Sequence, residues 1–220
     1  MRELKGLYLV VDPAIEEISL LSAVASSVKH GAGIVQLWNH WQDQENKRKL
    51  IDKLYAICRS ADVPMLINND WEVLLDTQLD GVHFDVIPDD IEAIQRQVGR
   101  PFIKGITCGN DLEVVRKAVA LDFDYLSFCA VFPTPTAIDC EIVDHAVITQ
   151  AREIFKKPIF VSGGIHPANI DQLSNLDIDG VAVVSGILRA SDPGMVTNRY
   201  IEALERIIPD MMDNRHDAHL

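Results

Sequence analysis

The stretch Pro158-Ile159-Phe160-Val161-Ser162-Gly163-Gly164-Ile165 constrains this chain more than any other, and Gly180-Val181-Ala182-Val183-Val184-Ser185-Gly186 echoes it soon after. Each is an apolar, β-branched run that stops at glycine and then meets a helix-start signal. A strand buried on both faces reads this way, because neither face needs polar residues. Glycines at the turn leave backbone N–H groups uncovered where the chain enters the next helix, a common way to grip a phosphate. Two such turns in succession, late in a chain of this length, predict the paired phosphate loops of a (β/α)8 TIM barrel.

The rest of the chain keeps the same rhythm. Strands are expected at Leu7 to Asp12, Ile34 to Trp38, Pro64 to Asn69, Gly81 to Phe84, Phe102 to Cys108 and Tyr125 to Val131, then in the two opening stretches, the second running from Gly180 to Ile187. Between them lie helical patterns: Ile15 to His30, the charged amphipathic segment Asp43 to Ser60, Trp71 to Thr77, Asp89 to Val98, a helix capped by Asp111, Asp144 to Phe155, a short helix with Pro167 in its first turn, and Gly194 to Ile208. Strand and helix alternating from end to end predict a parallel sheet with helical crossovers. Residues 1–208 are therefore read as one barrel domain, with the polar, aperiodic residues 209–220 as a disordered tail. An open doubly wound sheet is the structural rival.

Composition narrows the function. With 220 residues and 48% hydrophobic content the chain suits a single large core, and aromatics at 6% predict mainly aliphatic packing. A net charge of −13 argues against nucleic acid or an anionic membrane as partner, since both need clustered Lys and Arg. It leaves room for an anionic metabolite held by local backbone donors. No segment reaches the roughly 18 apolar residues of a membrane span, and the N-terminus lacks a signal-peptide shape. Cys58, Cys108, Cys129 and Cys140 show no metal-ligand spacing and read as small hydrophobes in a cytoplasmic protein. Oligomeric state is left open, a homo-oligomer included.

Functional groups of such barrels sit at the C-terminal ends of the strands. Those ends carry Asp12, Gln36, Asn68 with Asn69 and Asp70, His83 with Asp85, Thr107, the loop Phe132-Pro133-Thr134-Pro135-Thr136, Gly163-Gly164 and Ser185-Gly186. Amides suit a flat heteroaromatic ring, because each offers donor and acceptor in one plane. Hydroxyls and backbone N–H groups suit phosphate oxygens. The ligand expected is a small phosphorylated heterocycle.

Val35-Gln36-Leu37, Ile67-Asn68-Asn69-Asp70, Gly81-Val82-His83, Asp124-Tyr125, Val131 to Thr136, Gly163-Gly164-Ile165 and Val183 to Ile187 occur in order. Together they resemble the thiamine phosphate synthase family and its TenI tautomerase relatives, from about Leu7 to Ile208. The resemblance implies a (β/α)8 transferase that joins hydroxymethylpyrimidine pyrophosphate to thiazole phosphate and releases pyrophosphate with the help of Mg²⁺. It also implies substrate-binding residues: Gln36 and Asn68 for the pyrimidine, Thr134 and Thr136 for the thiazole phosphate, Gly164, Val184 and Ser185 for the phosphate kept in the product, and Thr107 as a further substrate-binding hydroxyl. Thr107 stands where serine is usual.

The charged positions depart from the family. Trp38 and His40 replace an arginine and a lysine, and Ala137 replaces another lysine. Asn69 and Pro88 replace the carboxylates that usually hold Mg²⁺, leaving Asp70, Asp85, Asp89 and Asp90 as either a displaced metal site or surface caps. Gly109 stands where the tautomerases use histidine. Trp38 and Trp41 read equally as stacking platforms or loop packing. Three readings follow: a divergent synthase of thiamine biosynthesis, a non-catalytic salvage or regulatory binder of a phosphorylated thiazole, and a TenI-like tautomerase.

Overall fold

The computed structural model describes residues 4–41, 46–134 and 141–208. Eight parallel strands form a closed barrel: β1 (Gly6–Val11), β2 (Ile34–Leu37), β3 (Met65–Asn68), β4 (Gly81–Phe84), β5 (Ile103–Cys108), β6 (Tyr125–Cys129), β7 (Ile159–Ser162) and β8 (Gly180–Val183). Pairing of Gly6 with Gly180 and Leu9 with Val183 closes β1 onto β8, which rules out the open sheet. The helices are α1 (Glu17–Lys29), α2 (Lys47–Ser60), α3 (Val73–Asp76), α4 (Ile91–Val98), α5 (Leu112–Ala120), α6 (His145–Ile154), α7 (Ser185–Leu188) and α8 (Pro193–Glu205). Asp43 and residues 209–220 lie outside the described residues.

Two local readings are corrected. The apolar run from Gly180 to Ile187 is not one strand: β8 ends at Val183, and Ser185 opens a helical turn. An apolar run cannot by itself distinguish a buried strand from a buried helix turn. Pro167 precedes a 3-10 turn (Ile170–Leu173) and is not part of it. Several other helix starts follow aspartates as their sequence indicates. Asp90, Asp111, Asp144 and Asp192 each accept a backbone N–H from the first turn of α4, α5, α6 and α8.

Between sheet and helices the packing is mainly aliphatic, as composition predicts, but the barrel interior departs from that rule. Tyr8, Tyr125 and Phe160 meet edge to face at its centre, with ring centroids 5.4–5.8 Å apart. Leu4, Ile34, Leu66, Ile103 and Ala182 complete this inner cluster. Glycine makes room for the rings: a Cβ at Gly105 would fall inside the Tyr125 ring, and one at Gly180 would lie 2.6 Å from the Phe160 ring. Close-packed interiors tolerate no such overlap, so the aromatic plug and these glycines require each other.

At the opposite end from the candidate site, one device recurs every second strand. Asp80, Asp124 and Asp179 each precede an even-numbered strand and accept the backbone N–H of the odd-numbered strand before it. The acceptances are from Met65 at 2.8 Å, Lys104 at 2.8 Å and Ile159 at 2.7 Å. The backbone N–H of each aspartate returns a bond to the carbonyl of the same residue. These clasps fix strand entry without touching the other end of the barrel. Asp80→Ala, which orphans the N–H of buried Met65, is expected to cost about 1–3 kcal/mol in urea unfolding. A loss below about 0.5 kcal/mol would show that the clasp carries no stability.

Candidate active site

The two glycine turns are built by different means and joined from below. Gly163 and Gly164 adopt φ of +90° and +65°, a region that L side chains disfavour. A Cβ on Gly164 would stand 2.6 Å from the Pro133 carbonyl oxygen and 2.8 Å from Phe132 Cβ. The turn therefore lies flat against the loop that leads to Thr134. Asn169 braces it, donating to the Gly164 carbonyl at 2.9 Å and accepting the His166 N–H at 2.8 Å. Tyr200, buried on α8, donates to the Ile165 carbonyl at 2.9 Å, and its hydroxyl sits where a side chain on Gly186 would be. One tyrosine thus supports both turns. With the carbonyls held back, the N–H groups of Gly164, Ile165, Ser185 and Gly186 donate to no acceptor among the described residues. Four unspent donors on adjacent turns can take an anion.

Across the barrel a chain of polar side chains crosses the aromatic plug. Tyr8 donates to Gln36 Oε1 at 2.6 Å and meets the Tyr125 hydroxyl at 2.7 Å. Tyr125 meets His83 Nδ1 at 2.8 Å, and His83 Nε2 meets Thr107 Oγ1 at 2.8 Å. Burial raises both tyrosine pKa values and pushes His83 down to about 4, against a smaller opposing pull from Asp85. All three side chains are therefore neutral at pH 7.

At the ends of β3 and β4 a carboxylate is held by amides. Asn68 Nδ2 donates to Asp85 Oδ1 at 3.0 Å and to the His83 carbonyl at 3.2 Å, and its Oδ1 takes the Asn39 N–H at 3.4 Å. Asn69 Nδ2 donates to Asp85 Oδ2 at 2.7 Å, while its Oδ1 accepts the Asp85 N–H at 2.9 Å. Both Asp85 oxygens are thus occupied by N–H donors. The other carboxylates nearby are also engaged. Asp70 pairs with Lys47, which in turn lies over the Trp41 ring at 5.2 Å, and Asp90 caps α4. Mg²⁺ at phosphate-handling sites is usually held by one or two carboxylates together with substrate phosphates and water. Asp85 keeps lone pairs beyond its two amide bonds, but the neutral Asn69 beside it and the Lys47 partner of Asp70 leave this corner with less free negative charge for Mg²⁺ than a pair of unpaired carboxylates would give. Among the described residues no group of three or more acidic, His or Cys side chains gathers elsewhere.

The predicted residues divide between these features. Gln36 and Thr107 end the polar chain; Gly164, Val184 and Ser185 form the anion turns; Asn68 spends its amide inside the protein; half-buried Thr134 follows the loop against Gly164; Thr136 and Ala137 lie outside the described residues. His40 sits 3.2 Å from Asp12 and beside Trp38. Trp41 packs on the outer core, which favours loop packing for it. Burial pushes the Cys58 and Cys108 thiols up to about 12, in keeping with small buried hydrophobes, and Cys140 lies outside the described residues. Tyr8, Tyr125, Asn169 and Tyr200 were missed as site residues. Only Asn169, three residues after His166, carried a local signal, that of a side chain capping a turn.

Two expectations test this geometry. The unfolded His83 takes a proton near 6.5 and the folded one only near 4. Its contribution to stability is therefore full above pH 6.5 and lost as pH falls toward 4. The stability difference between the wild type and His83→Gln should shrink by roughly 3 kcal/mol between pH 7.5 and pH 4 in urea unfolding; a constant difference contradicts the burial. Asn69→Asp should set two carboxylates together and lower the melting temperature in chelator, with recovery on adding Mg²⁺. The wild-type melting temperature should ignore Mg²⁺. Equal response of both proteins would refute the amide clasp.

The family model described as thiamine monophosphate synthase matches residues 7–187. The thiamine-phosphate synthase of Halorhodospira halophila is 28% identical over 204 residues, covering 93% of this chain and 96% of that protein. The thiamine-phosphate synthase of Picrophilus torridus is 30% identical over 207 residues, covering 94% of this chain and 100% of that protein. A solved thiamine phosphate pyrophosphorylase from Pyrococcus furiosus superposes with a TM-score of 0.79 at 22% identity, covering 92% of this chain and 96% of that one. No helix among the described residues is long and apolar enough to cross a membrane. With its model matched across most of the barrel and its relatives covered nearly end to end, this chain belongs to the thiamine monophosphate synthase family.

Proposed function

We propose that this protein is a transferase of the thiamine phosphate synthase type that binds both substrates and turns them over slowly. In the reaction, the bond from the pyrimidine methylene to the diphosphate breaks and its electron pair leaves with the diphosphate oxygen. The thiazole ring nitrogen then supplies the pair for the new C–N bond. Gln36 and Thr107 hold the pyrimidine ring, and the N–H groups at Gly164 and Ser185 hold the thiazole phosphate, fixing the nucleophile against the methylene. The observation that carries this reading is the pair of braced turns whose four N–H donors are unspent among the described residues.

Diphosphate departure is where the chain is weak. Charge developing on a leaving group needs fixed positive partners, and removing one commonly costs about 10²–10³ in rate. Here the two family cations at the end of β2 are Trp38 and His40, His40 faces Asp12, and Lys47 is engaged with Asp70. Losses within one charge cluster act together, so they do not simply multiply. The Asp85 clasp favours a second reading on the same barrel, a binder of phosphorylated thiazole without turnover. The tautomerase reading is weaker. Gly109 has open space and no side chain, and His83 is locked between Tyr125 and Thr107.

Purified protein supplied with both substrates and Mg²⁺ is expected to form thiamine phosphate and pyrophosphate at least about 10²-fold more slowly than the Picrophilus torridus relative. Ser185→Asp, which presents a carboxylate to the anion turns, should weaken thiazole phosphate binding at least about tenfold. Thiazole phosphate binding with no product at high enzyme concentration would leave the binder reading in place of the synthase. Unchanged affinity in folded Ser185→Asp would overturn the phosphate assignment.

A further inference from the structure

The polar chain through the barrel has a direction, and that direction reaches the ligand. A hydroxyl carries one proton. Tyr8 spends its proton on Gln36 Oε1, so at the 2.7 Å contact its oxygen accepts and Tyr125 donates. With the Tyr125 proton spent, the 2.8 Å contact to His83 Nδ1 must be donated by the imidazole. A neutral ring protonated on Nδ1 has a bare Nε2, which accepts from Thr107 at 2.8 Å. The reverse order, with Gln36 turned over and every proton shifted, is the only other arrangement that satisfies each link. Mixed arrangements leave a buried pair of oxygens facing each other without a proton, or two protons on one contact.

The two ends are therefore coupled across the barrel. In the order the structure assigns, Gln36 turns its carbonyl inward and presents its NH₂ group to a ligand. Thr107 turns its proton inward and presents lone pairs. Gln36 NH₂ has no hydrogen-bond partner in the described chain, and Thr107 is half-exposed.

We propose that Tyr8, Tyr125 and His83 are positioning residues that lock Gln36 as a donor and Thr107 as an acceptor, so that the barrel selects a neutral heteroaromatic ring carrying an acceptor nitrogen and an amino donor over the ring bearing an oxo group instead. This rests on the proposed pyrimidine side of the site and adds to it what enforces the choice. None of the three residues needs to touch the ligand. Their effect passes through the amide and the hydroxyl they orient.

The test uses binding and a tautomer, neither of which depends on turnover, so an inactive synthase leaves both readable. In ¹⁵N-labelled wild-type protein at pH 7.5, His83 should show the Nδ1–H tautomer. Titration calorimetry with 4-amino-5-hydroxymethyl-2-methylpyrimidine and its 4-oxo analogue should show preference for the amino ring. Tyr125→Phe keeps the ring in the aromatic plug and removes the link. It should narrow that preference about tenfold while changing thiazole phosphate affinity less than about twofold. Tyr8→Phe should do the same from the other side, which guards against one variant failing to fold. An Nε2–H tautomer, a wild type that does not prefer the amino ring, or an undiminished preference in both folded variants would overturn the proposal.

Discussion

The contact between the Tyr8 and Tyr125 hydroxyls, 2.7 Å apart at the dry centre of the barrel, is the constraint on which the rest depends. Two phenols buried there must satisfy each other, because water cannot reach them and an unpaired hydroxyl costs free energy. Their rings, with Phe160, fill the interior and force glycine at Gly105 and Gly180. Their oxygens in turn need partners above them, which fixes Gln36 on β2 and His83 on β4. The plug that makes the barrel solid thus also sets the polar floor of the site.

Above that floor the proposed site has two halves that differ in how they would handle charge. The phosphate half needs none: glycine turns lie against the Phe132-Pro133 backbone, Asn169 and Tyr200 hold the carbonyls back, and N–H groups remain for an anion. Such a device works in a protein carrying a net charge of −13, because it relies on local dipoles. Under the proposed function the diphosphate half would need cations, whereas Trp38 and His40 stand there and Lys47 is paired with Asp70. Asn69 is informative. An amide at this position donates to Asp85, a bond that an ionised carboxylate could not make.

How legible this was depended on how local each signal is. The eight strands, their order and the aspartate caps follow from short apolar runs, glycine stops and single capping residues, and all could be read directly. The family pattern singled out Gln36, Thr107 and Gly164, which lie in β2, in β5 and in the turn after β7. What escaped was non-local. Tyr125 and Tyr8 are 117 residues apart, and nothing near either one marks its hydroxyl as polar infrastructure. Tyr200 looks like one more core residue of α8 until its hydroxyl is seen beneath Ile165 and Gly186. Asn69 read as a lost metal ligand, whereas its gained bond to Asp85 appears only when β3 and β4 lie side by side. Val184 and Ser185 were placed in a strand, because an apolar run does not announce where it turns into helix.

The central claim is that the chain holds a phosphate on the turns at Gly164 and Ser185 while its β3–β4 corner holds no metal. A crystal structure of the protein with thiazole phosphate and Mg²⁺ tests this most directly. Phosphate oxygens roughly 3 Å from the N–H groups of Gly164 and Ser185, with Asn69 still bonded to Asp85 and no ion between them, is the predicted result. Phosphate bound elsewhere, or Mg²⁺ coordinated by Asp85 with the Asn69 bond broken, would contradict it.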